Sequence, residues 1–300
     1  MLQKHAYCII AHNEPDLLKK LVKAIDDERN DLFILVDSKT DISIYSEIKT
    51  YKSKMIFVSR IDIRWGDISQ VKAELILFES ALKQDTYAYY HLLSGVDLPI
   101  KSQNYIHNFM QTHNGIQFVG YAKENYDGED LKQRTNYYHI FTKYYKNPKL
   151  LETLTKIARK TFLIMQQTLK LERKYDLELR KGANWCSITH SFCLYLIERK
   201  NYILKTFKYI PCADEIFLHR ILWNSPFRKD IYSPENEYDS CLREIDWKRG
   251  DPYIWGKDSE NDLNILLTSN KLFARKFSSQ YMEFIETLLS KITENNENHD

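Results

Sequence analysis

Between Ala6 and Gly95, short runs of apolar β formers alternate with segments whose apolar residues recur at helical spacing. Ala6 to Ala11 predicts a strand, and Leu17, Leu18, Leu21 and Ile25 predict a helix over Asp16 to Ile25. Leu32 to Val36 and Met55 to Ser59 predict two further strands. A helix over Ser69 to Leu82 follows from Val71, Leu75, Phe78 and Leu82 on one face, and Tyr87 to Leu93 predicts a fourth strand, broken by Ser94-Gly95. Continuously apolar strands alternating with helices require an α/β fold, with a mostly parallel central sheet flanked by helices. Ligands of such sheets bind beyond the carboxyl ends of the strands. His12, Asp37 and the Ser94 to Asp97 turn all fall along that edge.

The remainder is less regular. Lys123 to Tyr145 is polar and Tyr-rich, and fits a loop or a lid. Pro148 to Leu179 predicts a helix with charges on one face, Gly182 to Ile188 a turn and short strand, and Thr189 to Arg199 another helix. Asp214-Glu215 precedes a helix from Ile216 to about Trp223, and a polar tail from Thr293 predicts fraying. Without repeats or a low-complexity linker, the expectation is one integrated domain over 1–292 with a tail at 293–300. A net charge of +2 argues against a nucleic-acid footprint, which needs a strong basic excess. The 21 tyrosines fit sugar-stacking surfaces or an aromatic core equally. Five cysteines, an odd number without metal-ligand spacing, point to a reducing, cytoplasmic compartment. The apolar stretch near the N-terminus is too short for a signal peptide or a span, so any membrane association is expected to be peripheral, on the inner face of the plasma membrane.

Several chemistries lack their motifs: there is no Walker A loop, no GxGxxG after the first strand, no GxSxG elbow and no HExxH. The AspxAsp pair that bridges a metal to a nucleotide diphosphate is also missing, and Asp37 and Asp41 have the wrong spacing for it. A diphosphate bound here would need protein cations. The adjacent Arg275 and Lys276, set between Phe273 and Phe277, suit that task, and equally suit a solvated pair at a helix start. Asp214-Glu215 fits a helix cap or an exposed general base. Trp247 fits a core plug or a platform for a sugar ring. His12 alone fits a hydrogen-bonded strand-end histidine, and Asp37 a turn former.

Taken together, these segments resemble glycosyltransferase family 14, which includes the core-2/I-branching β-1,6-N-acetylglucosaminyltransferases, the peptide O-xylosyltransferases and bacterial relatives. The resemblance lies in ordered motifs from about residue 5 to 280. They are Asp37 within Leu35-Val36-Asp37-Ser38-Lys39, Trp65-Gly66-Asp67-Ile68-Ser69, the stretch from His91 to Ser102 that contains Leu93-Ser94-Gly95 and Asp97, Gly182 to Ser187, Asp214-Glu215, and Phe273 to Phe277. It implies a GT-A-type, Rossmann-like fold without the metal-binding AspxAsp motif. The nucleotide-binding half would be 1–120 and the acceptor-binding, catalytic half 121–292. It also implies inverting transfer from a UDP-sugar (GlcNAc first, xylose second) to a glycan or lipid-linked glycan acceptor, without metal or another cofactor, in bacterial surface polysaccharide synthesis. By position, Glu215 is the implied base. His12, Asp37, Trp65, Arg275 and Lys276 are implied on the donor side, and Trp247 and Asp97 on the acceptor side. The chain departs from the branching enzymes at their second diphosphate arginine, for which Arg249 is the nearest candidate and Arg275 the substitute. Their cysteine framework has no counterpart, and no N-terminal anchor is expected. A metal-dependent relative using Asp37 and Asp41, and a catalytically silent glycan- or nucleotide-binding protein of the same fold, are the alternatives.

Overall fold

A computed structural model describes residues 4–122, 128–145, 149–174 and 177–297. Six strands form the central sheet: β1 (His5–Ala11), β2 (Asn30–Val36), β3 (Lys54–Phe57), β4 (Tyr89–Ser94), and, after β5 (Leu98–Pro99) of a second sheet, β6 (Phe118–Val119) and β7 (Cys186–Thr189). Their order is β3-β2-β1-β4-β7-β6. The first four are parallel, and β7 runs antiparallel to both β4 and β6. The chain passes from β1 outward to β2 and β3, then returns to place β4 on the other side of β1. The strand order therefore reverses beside the carboxyl end of β1, where a parallel sheet opens a crevice.

Both faces of this sheet are covered, which is why β1 and β2 lack the polar alternation of a half-exposed strand. Ala6, Cys8, Phe33 and Leu35 pack on one side with α2 (Ser69–Gln84), whose Val71, Leu75 and Phe78 are fully buried. Tyr7, Ile9, Leu32 and Ile34 pack on the other with α1 (Pro15–Ala24), through Leu17, Leu18 and Leu21. On this second side lies a three-stranded sheet of order β5-β9-β8, in which β8 (Arg243–Ile245) pairs parallel and β5 antiparallel with β9 (Phe273–Arg275). The fully buried Arg243 guanidinium ties the two sheets. It donates to the carbonyls of Leu92 (3.3 Å) and Cys186 (2.8 Å), and its carbon lies 4.5 Å from the centre of the Phe273 ring.

The expected early elements are present, with ends shifted by one or two residues. Four expectations change. The segment after Lys123 contains a helix, α3 (Gly128–Asn136), and positions 123–127 fall outside the described residues. The long helix expected from Pro148, itself outside the described residues, is α4 (Lys149–Thr168) and stops well before Leu179. Lys170 adopts a left-handed conformation (φ 52°), and the Leu171 and Lys170 amides fold back onto the carbonyls of Gln166 and Gln167, closing the helix end. Arg275 belongs to a strand and not to a helix start. The C-terminal segment is helical from Met282 through Glu297, so the tail expected to fray at Thr293 continues that helix. All five cysteines are free thiols.

One close approach fixes the far side of the crevice. The backbone of Gly182 passes so near β6 that a Cβ there would lie 1.9 Å from the Gly120 carbonyl oxygen and 2.8 Å from His219 Nε2. The Gly182 amide donates to the Glu215 carbonyl at 3.0 Å, so the same contact sets the Glu215 loop. Gly182→Ala is expected to lower unfolding free energy by about 1–3 kcal/mol, the usual cost of overpacking. Urea denaturation checks this, and an unchanged midpoint would contradict the contact.

Candidate functional site

The carboxyl edge of the sheet opens into a cleft of about 380 Å³, lined among others by Trp65, Trp185, Glu215, Trp247 and Arg275. Each arrives from a different local structure. Gly66, with φ +75°, turns the chain directly after Trp65, which stands at the rim, 53% exposed and edge-on to Tyr145 at 6.1 Å. Trp185 precedes β7, and Trp247, 50% exposed, follows β8. Arg275 ends β9 and extends over Trp185, its guanidinium carbon 4.1 Å from the ring centre. Arg275 Nε lies 3.7 Å from Asp97 Oδ1. Burial works against its charge and Asp97 supports it. Its Nη1 is buried and has no hydrogen-bond partner among the described residues.

Glu215 closes a single 3-10 turn, Ala213–Glu215, ahead of the helix Phe217–Trp223. Its side chain is 45% exposed, and Oε2 accepts from Arg134 Nη1 at 3.0 Å. Arg134 lies on α3 and is also paired with Asp130 at 3.0 Å. Neighbouring Asp214 points the opposite way, into the protein, and accepts from Gln70 Nε2 at 2.8 Å. Gln70 in turn receives the Gly66 amide at 2.5 Å, so α2 holds the Trp65 corner and the Asp214-Glu215 turn through one side chain. Burial, and then the Glu215 carboxylate, push the Asp214 acid up to about 7. Glu74, one turn along α2 and fully buried, is pushed well above the carboxylate range by burial and by Asp214, against the pull of the Asn184 side chain.

The remaining expected residues form a second cluster at the ends of β1 and β2. His12 is exposed there. Burial of its ring still lowers its basicity, with the Asp37 carboxylate opposing and the Lys276 and Lys39 ammoniums reinforcing the shift. Asp37 is 5% exposed and accepts from Lys39 Nζ at 2.6 Å. Lys276 follows Arg275 yet faces this cluster, so the adjacent cations address two regions of the edge. Asp97, expected at the acceptor, does not line the cleft. It is 1% exposed, takes hydrogen bonds from the Ser94 amide and hydroxyl, and supports Arg275. Arg249 is held by Asp246 (2.5 Å) and Asp262 (2.8 Å). Asp41 caps its own 3-10 turn through Ser43. Among the described residues no three His, Cys, Asp or Glu side chains group as metal ligands.

Sequence reasoning missed Arg134, Gln70 and Glu74, and reached Trp185 only as part of the Gly182 to Ser187 motif, with no role assigned. Gln70 and Glu74 left only a weak signal, a spacing of four that puts two polar residues on one side of α2, where half of the residues are polar. Arg134 left none, because its contact with Glu215 spans 81 residues of chain.

A mostly parallel α/β sheet covered by helices, with acidic and cationic side chains along its carboxyl edge, has the form of a GT-A-type fold. The chain belongs to the core-2/I-branching enzyme family, whose model matches residues 5–261, a span that includes Glu215 and Trp247 and stops short of Arg275 and Lys276. No curated protein matches the chain. Membership makes it a glycosyltransferase, a class that joins a nucleotide-sugar donor to a glycan acceptor. Among the described residues no helix is long and apolar enough to cross a membrane.

The raised Asp214 acid has a thermodynamic consequence. Its folded-state affinity for a proton exceeds the unfolded one, so its contribution to stability is complete below about pH 4 and is lost as pH rises through about 7. The full loss is on the order of 4 kcal/mol, and Glu74 acts in the same direction. Unfolding free energies from pH 4 to 8 should therefore fall less steeply for Asp214→Asn than for the wild type. Identical slopes would place Asp214 in an ordinary, ionised state.

Proposed function

We propose that this protein transfers a sugar from a UDP-sugar to a hydroxyl of a glycan acceptor, with inversion and without a metal. The observation that carries this reading is Arg275 Nη1, buried and without a partner among the described residues, in the same cleft as the half-exposed Glu215 carboxylate. A buried donor with no partner calls for an acceptor from outside the chain. A guanidinium suits phosphate oxygens, which it can bind bidentately.

In the reaction, the acceptor oxygen attacks C1 of the donor sugar on the face opposite UDP. The new O–C1 bond forms as the C1–phosphate oxygen bond breaks. Glu215 takes the acceptor proton, and the bonding pair leaves with UDP. One carboxylate suffices as base and typically contributes about 10²–10⁴-fold. Negative charge grows on the departing diphosphate, so Arg275 and Lys276 interact with it more strongly in the transition state than in the ground state. Asp97 acts through Arg275 by holding its guanidinium. His12 and Asp37 are assigned to the nucleoside end. Trp65 and Trp247, half-exposed at the rim, offer faces on which sugar rings can stack. GlcNAc is the first choice of donor sugar and xylose the second, with a bacterial surface polysaccharide as the product.

Two variants test the assignments. Glu215→Gln should lower transfer by about 10²–10⁴-fold while leaving UDP binding by calorimetry unchanged. Lys276→Ala should lower both rate and UDP affinity, and added Mn²⁺ should restore neither. Full transfer by the first variant, or unaltered UDP affinity in the second, would remove the corresponding role.

A further inference from the structure

Helix α4 carries aliphatic side chains on the side turned away from the protein. The side turned to the protein body carries Thr155 and Gln166, which are 7% and 2% exposed, and Gln166 is held by hydrogen bonds to the Tyr138 amide and carbonyl at 2.9 and 3.0 Å. Turned outward are Leu154, Ile157, Ile164 and Met165, each between 45% and 60% exposed. At 100° per residue these four fall on one side, with Thr161 among them, and Leu169 and Leu171 beyond the helix end are also exposed, 59% and 54%. Single exposed aliphatics are ordinary, whereas four on one side of a helix mark an interaction surface. Lys160 lies along one edge of the stripe, as does Lys156, which is paired with Glu152 at 2.6 Å, and Lys170 follows the helix end, all three exposed.

An apolar stripe bordered by lysines matches a bilayer interface, where the aliphatics enter the acyl boundary and the ammoniums meet anionic headgroups. A protein partner would satisfy the apolar stripe without using the lysine border. We infer that the outward face of α4 docks the protein onto an anionic lipid surface. The face is coupled to the cleft. Arg159 of α4 stacks over Tyr145 at 4.2 Å, and Tyr145 meets Trp65 at the rim. Docking would therefore hold the rim near acceptors carried on lipid. That consequence rests on the transferase reading, whereas lipid binding does not.

The experiment is co-sedimentation of the full chain with phosphatidylglycerol or phosphatidylcholine vesicles. Binding is expected to phosphatidylglycerol, weaker to phosphatidylcholine, and reduced in about 1 M salt, where the screening length is about 3 Å. The triple variant Ile157→Gln/Ile164→Gln/Met165→Gln should bind at least roughly tenfold more weakly, with unchanged circular dichroism and unchanged UDP affinity. Lys160→Glu/Lys170→Glu should lose the preference for the anionic vesicle. Absence of vesicle binding by the wild type, or equal binding by the triple variant, would overturn the inference. So would a dimer that the triple variant converts to monomer while vesicle binding persists, since a second copy would then be the occupant. Failure of sugar transfer with intact vesicle binding would count against the proposed reaction alone.

Discussion

Arg243 is a fixed positive charge sealed where the two sheets meet, and the site depends on its being there. Its guanidinium reaches carbonyls on β4 and just inside β7 while lying over Phe273 of β9. Burial works against the charge, and nearby groups, Asp97 among them, support it. Removing Arg243 would take charge-assisted hydrogen bonds from these two buried carbonyls, each worth about 1.5–3 kcal/mol. The tie sets β9 against the β4–β7 pair. Phe273 is thereby buried, and Arg275, two residues on and so on the same side of the strand, is carried over Trp185.

The cleft then separates two adjacent acids by environment. Asp214 is turned inward, where burial and its neighbour keep it a weak acid joined to Gln70, while Glu215 is turned outward beside Arg134. A single 3-10 turn makes this division, because consecutive residues on it point in different directions. The adjacent cations are divided at the end of a strand: Arg275, its last residue, reaches into the cleft, and Lys276, the next residue, faces His12 at the end of β1. Two dipeptides thus supply four differently placed charges.

The parts of this arrangement legible in sequence are those with strong local signals. β1, β2 and α2 are long and apolar enough to be recognised, and they fix the edge where His12, Asp37 and the Ser94 turn lie. The three-residue strands β8 and β9 have no periodicity to detect, so Arg275 fitted a helix start as well as an anion site. The end of α4 at Lys170 was hidden because no glycine marks the left-handed residue. Asp97 was placed at the acceptor by motif position, whereas its contacts are set by the Ser94 turn and by Arg275, a residue 178 positions away that pairing with β5 brings close. Arg134 lay in a segment open to either a loop or a lid, and only the tertiary fold brings it to Glu215. The outward apolar stripe of α4 was equally concealed, since periodicity identifies an apolar face without saying which way it turns.

On the proposed reading, this cleft moves a sugar from UDP to a hydroxyl with protein cations alone. Release of UDP from a panel of UDP-sugars, followed with and without EDTA, is the decisive measurement. Turnover of at least one UDP-sugar, even slow hydrolysis, at equal rates in the presence and absence of chelator is the predicted result. Turnover abolished by EDTA and restored by Mn²⁺, or no UDP release from any donor, would contradict the account.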